Sequence, residues 1–332
     1  MKYIIDGHYD ILMDVAARRK KGERQVIRRR YYPAFQKGGV TGIVASIFVD
    51  SQYLPYGALS VAMEQISALH CEIEETPDLL MLCTSADDFL RAAETGRIGF
   101  LLSFEGAEPV SSCLLLHGFY AAGVRGLGLA WSRRNAAADG CDFSGSLKKG
   151  GLTEFGRELV KEAEDLHMIL DLSHLSDEGV EDVLSITSCP VIASHSNSRA
   201  VAGSNRNLTD CQMREIASRG GTVGLNGGSL LTAGPGVSPD QNGLTTHLDH
   251  MTEIMGEDHV AFGFDFCDSF FADDLSSSTD QMPERPFDIL SGAHEDLPAF
   301  LDHLRQHGYT ESHLAKLAGE NWLHTFRHIL KH

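Results

Sequence analysis

The stretch DGHYD sets His8 and Asp10 two residues apart just after an apolar start. In an extended chain, residues i and i+2 point the same way, so an imidazole and a carboxylate would reach one point in space. A turn would instead leave both solvated, and this stretch alone decides neither. Four more stretches carry similar side chains directly after apolar runs: Glu105 in SFEGAEP, His174 in LSHLSD, His195 in ASHSNSR and Asp265 in FGFDFCD. Imidazole and carboxylate without thiolate suit zinc, with manganese, cobalt and iron as poorer fits. If Glu105 bridges, His8, Asp10 and Glu105 hold one ion while Glu105, His174 and His195 hold another. The expectation is therefore two Zn2+ per chain, sharing Glu105 and a water or hydroxide. Each ion keeps an open position, which suits hydrolysis: the metals polarise a carbonyl and a bound water loses its proton near neutral pH. Asp265, not needed as a ligand, is the expected proton carrier.

Such a set requires a scaffold that gathers distant segments. Eight short apolar runs, at 2–6, 42–49, 98–104, 124–131, 168–173, 190–194, 221–226 and 259–264, alternate with amphipathic segments such as 152–167, 175–186 and 208–220. Each of those three helical patterns opens with Ser, Thr or Asp near an N-cap position. Strand then helix, repeated eight times, predicts an α/β fold of the (β/α)8 TIM-barrel kind, with an open doubly wound sheet as the runner-up. The barrel is expected to be a single domain over 1–332, with a long loop at about 267–286 and helices from about residue 295. In this fold the carboxyl ends of all strands meet on one rim, where active sites sit. A lone histidine at a strand end is more often structural than a ligand. Three histidines with three carboxylates at the ends of five strands are not easily explained that way. Histidines in helical and terminal segments, such as His70, His303 and His324, read as structural or solvated.

Composition narrows the function classes. The 332 residues are 42% hydrophobic and 22% charged, with a formal net charge of −18, which argues against a nucleic-acid partner. The one basic run, RRKKGERQVIRRR at 18–30, reads as a solvated helix or loop face. No stretch approaches the ~18 uninterrupted apolar residues of a membrane span, and the first strand starts without a charged-then-apolar leader. A soluble, cytoplasmic protein is expected. Seven cysteines without a CxxC pair suit a reducing compartment and read mostly as small core residues.

The motifs DGHYD, SFEGAEP, GLTEFGRELV, LDLSHLSD, PVIASHSNSRAV, NRNLTD and HLDHMTEIMGEDHVAFGFDF occur in this order over nearly the whole chain. In them the sequence resembles the membrane dipeptidase (renal dipeptidase) family of zinc metallopeptidases, within the amidohydrolase-like group of barrels. The resemblance implies a metallo-dependent hydrolase barrel, two zinc ions bridged by Glu105, and hydrolysis of dipeptides with a free carboxyl terminus. It also implies that Arg206 grips the substrate carboxylate. Some positions depart from the family. Trp131 stands where a histidine helps hold the substrate, Cys267 replaces a second acidic residue, and Gly227 and Gly228 replace bulkier residues and are expected to widen the pocket. The same site could instead serve another small amide, an acyl amino acid or a lactone. A barrel that binds metal without catalysis is a third reading, against which Asp265 speaks. The expected partner is a small-molecule dipeptide; no nucleic acid and no membrane anchor are expected, and a homodimer is left open.

Overall fold

The computed structural model describes residues 1–142, 150–271 and 286–331. Its strands are β1 (Ile5–Tyr9), β2 (Gly42–Ile47), β3 (Leu80–Leu82), β4 (Ile98–Glu105), β5 (Val124–Gly128), β6 (Ile169–Asp171), β7 (Ile192–Ala193), β8 (Thr222–Leu225) and β9 (Val260–Phe262). They pair in parallel in the order β1-β2-β4-β5-β6-β7-β8-β9, and β3 adds to β4 off this path. The eight main strands form a nearly closed parallel barrel with helices outside, the (β/α)8 metallo-dependent hydrolase fold. Every residue of β4 is buried, as expected for a parallel strand covered on both faces. The intervening helices start where their caps dictate. Ser85, Thr153, Ser176 and Thr209 each accept a backbone N–H from the first helical turn.

Alternation along the strands divides the barrel into an apolar floor and a polar rim. Ile5, Val44, Leu101, Ile169, Ile192 and Ala261, from six different strands, cluster with Trp322. Two residues further on, and so on the same face, stand Gly7, Ser46, Ser103, Asp171, Ser194 and Gly263; two beyond that come Glu105 and Asp265. Trp322 plugs the floor from helix Asn321–Ile329, fully buried, and its indole N–H donates to the Phe262 carbonyl at 2.8 Å. The plug needs glycine opposite it: a Cβ on Gly7 would lie 2.4 Å from the indole.

The structure revises several boundaries. The first strand begins at Ile5, not at residue 2, because Asp6 is a staple and not a strand end. Its Oδ1 accepts the N–H groups of His8 (3.2 Å) and Phe264 (2.9 Å), and its Oδ2 accepts His294 Nε2 at 2.8 Å. Together with the Asp265 N–H to His8 carbonyl bond at 3.3 Å, this joins the two edges of the barrel. β7 keeps only two of the five residues expected at 190–194. β3 was not expected at all, since three residues on a side branch carry no alternation signal. Of the loop expected at 267–286, Asp268–Phe271 form one helical turn, and 272–285 lie outside the described residues.

The basic run is a solvated face only in part: Lys20, Lys21, Arg24, Arg28, Arg29 and Arg30 are exposed, as expected, whereas Arg18 and Arg19 are drawn in. Arg18 is buried on Asp14, Arg19 pairs with Glu72 and Glu75, Lys20 with Glu64 and Arg24 with Glu75. All seven cysteines are free thiols, and only Cys83 and Cys141 are buried, so most are not core residues.

Removing the floor plug tests this architecture. Trp322→Ala should cost about 3–5 kcal/mol, the usual range for an aromatic core truncation, read as a lower urea midpoint and melting temperature. An unchanged midpoint would show that the floor does not depend on the indole.

Candidate metal centre

At the polar rim six side chains come from five strand ends. His8 does not arrive by the simple period-two geometry. Ile5 and Gly7 face Trp322, so strict alternation would turn His8 away from the interior. The β1–β2 register breaks between Asp6 and Tyr9, and an extra residue of this kind re-aims the side chain beside it. Asp10 follows at the N-cap position of helix Ile11–Lys20, yet its side chain caps nothing there. Glu105 is the last residue of β4. His174 and Asp265 each stand three residues past a strand in left-handed backbone, with φ of 69° and 59°. That conformation costs a non-glycine residue on the order of 1–3 kcal/mol and gathers at functional sites.

Glu105 divides its oxygens between two groups of ligand atoms. Oε2 lies 3.5 Å from His8 Nε2 and accepts the Ser46 hydroxyl at 2.9 Å. Oε1 lies 3.0 Å from His174 Nε2 and 3.6 Å from His195 Nε2. His8 Nε2 is also 3.7 Å from Asp10 Oδ2 and 3.9 Å from Asp265 Oδ1. The ligand atoms of three trios, His8/Asp10/Glu105, Glu105/His174/His195 and His8/His195/Asp265, all lie within 4.8 Å of one another. His8 stacks on His195 with ring centroids 3.6 Å apart. Asp265 is held on its other oxygen by the Asn226 amide at 3.0 Å.

The charges in this cluster are unbalanced. Burial pushes the Glu105 and Asp265 carboxyls up, and the Asp10 carboxylate adds to the rise in both. Burial opposes protonation of His8, but Glu105 and Asp10 outweigh it and raise its pKa well above the usual value. Burial drives His174 and His195 well below the usual range, with the Arg206 guanidinium contributing to both. His8 Nε2 and Asp10 Oδ1 are buried with no hydrogen-bond partner. Buried polar atoms without a partner beside three crowded carboxylates fit a divalent cation, which would take the place of a proton among them, and imidazole and carboxylate are ligands that zinc accepts.

A sequence model of the membrane dipeptidase family, peptidase family M19, matches residues 2–331. The chain belongs to that family. An uncharacterised protein from the pqqA 5′ region of Klebsiella pneumoniae is 34% identical over 283 residues, 83% of this chain and 98% of its own length. Among solved structures, a metallopeptidase from Rhodobacter sphaeroides bound to a phosphinate mimic of the dipeptide L-Ala-D-Ala is 29% identical. It superposes with a TM-score of 0.83, over 98% of this chain and 99% of that one. The dipeptidase AC, an M19 metallopeptidase, is 31% identical with the same TM-score of 0.83, over 99% of this chain and 98% of that one. As a member of this peptidase family the chain is metal-dependent.

The positions that depart from the family pattern have structural consequences. Trp131 lies three residues past β5, with its ring 5.7 Å from that of His174 and 5.4 Å from that of Phe48. Arg133 sits 5.1 Å over the indole and pairs with Glu108 at 3.0 Å, so the wall beside His174 is aromatic and cationic. Gly228 does not open the pocket as expected. A Cβ on Gly228 would lie 2.2 Å from the Phe287 ring, so Phe287 already occupies that space. Cys267 and Asp268 donate their N–H groups to the buried Asp288 carboxylate, which braces the backbone just after Asp265. Sequence reasoning passed over Ser46, Asn226 and His294. Asn226 directly follows β8, and that strand-end position was the signal available for it.

A cation should stabilise this cluster by linkage. Protein stripped with a chelator should gain thermal stability on adding Zn2+, about 4 kcal/mol at a thousandfold excess over the dissociation constant, and His174→Ala should diminish the gain. No shift in the wild-type melting temperature would mean that the cluster does not bind zinc.

Proposed function

We propose that this chain is a binuclear zinc dipeptidase that hydrolyses dipeptides bearing a free terminal carboxylate. The observation that carries the reading is the way Glu105 serves two adjacent trios, one with each oxygen, beside a buried arginine that pairs with no carboxylate among the described residues. His8, Asp10 and Glu105 would hold one ion, and Glu105, His174 and His195 the other. When bound, the metals would polarise the scissile carbonyl and acidify water. The phosphinate of the Rhodobacter sphaeroides complex is tetrahedral where a peptide carbonyl is planar, which supports addition to that carbonyl as the chemical step.

The protein's own groups do the rest. Asp265 takes the proton of the attacking water and returns it to the leaving nitrogen, with its free oxygen turned toward His8 and its other oxygen fixed by Asn226. Arg206 donates from Nη1 to Ser196 Oγ at 2.8 Å and from Nη2 to the His195 carbonyl at 2.9 Å. No ion pair joins it to a carboxylate among the described residues, although it is buried. A cation held only by neutral oxygens can receive both oxygens of a carboxylate in a bidentate pair. Trp131 would line the substrate's side of His174. One domain, a cytoplasmic location and a small-molecule substrate complete the proposal; the seven free thiols support a reducing compartment. No helix among the described residues is long and apolar enough to cross a membrane.

Two substitutions divide the roles. Asp265→Asn should keep both zinc equivalents yet lose turnover by about 10²–10⁴-fold, with metal content measured beside kcat; loss of metal would make Asp265 a ligand instead. Arg206→Ala should abolish the preference for a free-acid dipeptide over its carboxamide, compared by kcat/KM on a matched pair. Equal wild-type rates on acid and amide would move the assignment to another amide or lactone.

A further inference from the structure

The two histidines beside Glu105 Oε1 are oriented through their other ring nitrogens. Nδ1 of His174 meets the Ser132 hydroxyl at 2.8 Å, and Nδ1 of His195 meets the Ser194 hydroxyl at 2.7 Å. Only the second contact continues to a carboxylate. Ser194 Oγ donates to Asp171 Oδ2 at 2.5 Å, while Asp171 Oδ1 accepts the N–H groups of Ser173 at 3.0 Å and Ser194 at 2.9 Å. Asp171, Ser173, Ser194 and His195 are all buried.

Proton counting along this chain leaves one arrangement. Backbone N–H groups can only donate, so Asp171 Oδ1 is an acceptor. A carboxylate also accepts on its second oxygen, and the single proton of Ser194 goes there. The next hydroxyl, Ser173 Oγ, is farther from Ser194 Oγ, at 3.4 Å. With its proton committed, Ser194 Oγ can only accept from His195, and His195 must carry its hydrogen on Nδ1. Its Nε2 then presents a lone pair toward Glu105 and His174, whose Nε2 is 2.9 Å away.

We infer that Asp171, acting through Ser194, is a positioning residue that locks His195 in the tautomer able to bind metal at the position shared by Glu105 and His174. This rests on the metal-centre reading above. Histidine ligands are commonly fixed by a partner on the far nitrogen, whose loss costs about 10–100-fold in metal affinity. Here the partner is a carboxylate one hydroxyl removed, and it serves one of the two positions.

The polarity of the chain makes the test specific. In Asp171→Asn the amide oxygen stays on the two backbone N–H groups, so the NH2 faces Ser194 Oγ and becomes the donor. The hydroxyl proton must then turn to His195 Nδ1, which moves the imidazole hydrogen to Nε2 and blocks the ligand atom. Ser194→Ala removes the lock without reversing it.

The experiment is 15N NMR of histidine-labelled, metal-stripped full-length protein, with His195 assigned by His195→Gln, followed by titration with Zn2+ alone and direct metal analysis. Wild type should show His195 protonated at Nδ1, Asp171→Asn at Nε2, and Ser194→Ala a mixture. Asp171→Asn should bind the second zinc equivalent at least 10-fold more weakly, Ser194→Ala should fall between it and wild type, and the first equivalent should bind as in wild type. A wild-type His195 protonated at Nε2 overturns the inference from one spectrum, even if a variant fails to fold. Equal zinc affinity in folded wild type and Asp171→Asn also overturns it. Failure of the metal-centre reading looks different, because wild type then takes up no zinc at all.

Discussion

Everything at the carboxyl end of this barrel answers to one constraint. Three carboxylates and three imidazoles converge on a volume only a few ångströms across, with Asp10 and Asp265 partly exposed and the other four buried. Burying uncompensated charge is costly, and the shifts in Glu105, His8 and Asp265 all reflect that imbalance. Such a cluster persists only because the fold over-determines it. Left-handed backbone at His174 and Asp265, a register break beside His8 and an idle N-cap at Asp10 each oppose local preference. Each also turns an imidazole or a carboxylate toward the same cluster.

The rest of the barrel supplies the rigidity. Its floor is apolar and closed by Trp322, so polar groups are confined to the rim, where alternation along the strands brings them out. The two sheet edges are tied by Asp6, whose three hydrogen bonds reach β1, the segment after β9 and His294. A site assembled from five strand ends holds its geometry only if those ends cannot splay, and this staple lies two residues from His8. Rigid elements with supporting hydrogen bonds behind each functional group are what precise positioning requires.

His174 and His195 also illustrate how different supports can underlie similar positions. His174 rests on a hydroxyl that lies 3.5 Å from the Cys141 thiol, whereas His195 rests on a hydroxyl committed to Asp171. Arg206 brings a positive charge to the same side, anchored to the His195 carbonyl itself. In the proposed reading, the residue that receives the substrate carboxylate is thus anchored to the backbone of a residue whose side chain would hold metal.

The sequence by itself determined the fold class and which residue types converge at the rim. Both are written locally: strand runs and helix caps repeat at short range, and Glu105, His174, His195 and Asp265 each lie at or within three residues of the end of an apolar run. In a barrel, strand end is nearly a synonym for rim, so local order was enough to predict convergence. Tertiary structure decided what depends on contacts far apart in the chain. Asp6 reads as one more acid near His8 until His294 is brought to it from 288 positions away. The Gly228 position reads as an enlarged pocket until Phe287 fills it. Arg19 in the basic run reads as solvated until the helix Ala58–Glu75 lays Glu72 and Glu75 against it. Nor could spacing show that His8 is aimed by a register break, or that a serine between Asp171 and His195 dictates where one proton sits. Those are matters of register and donor direction, which exist only once the strands are paired.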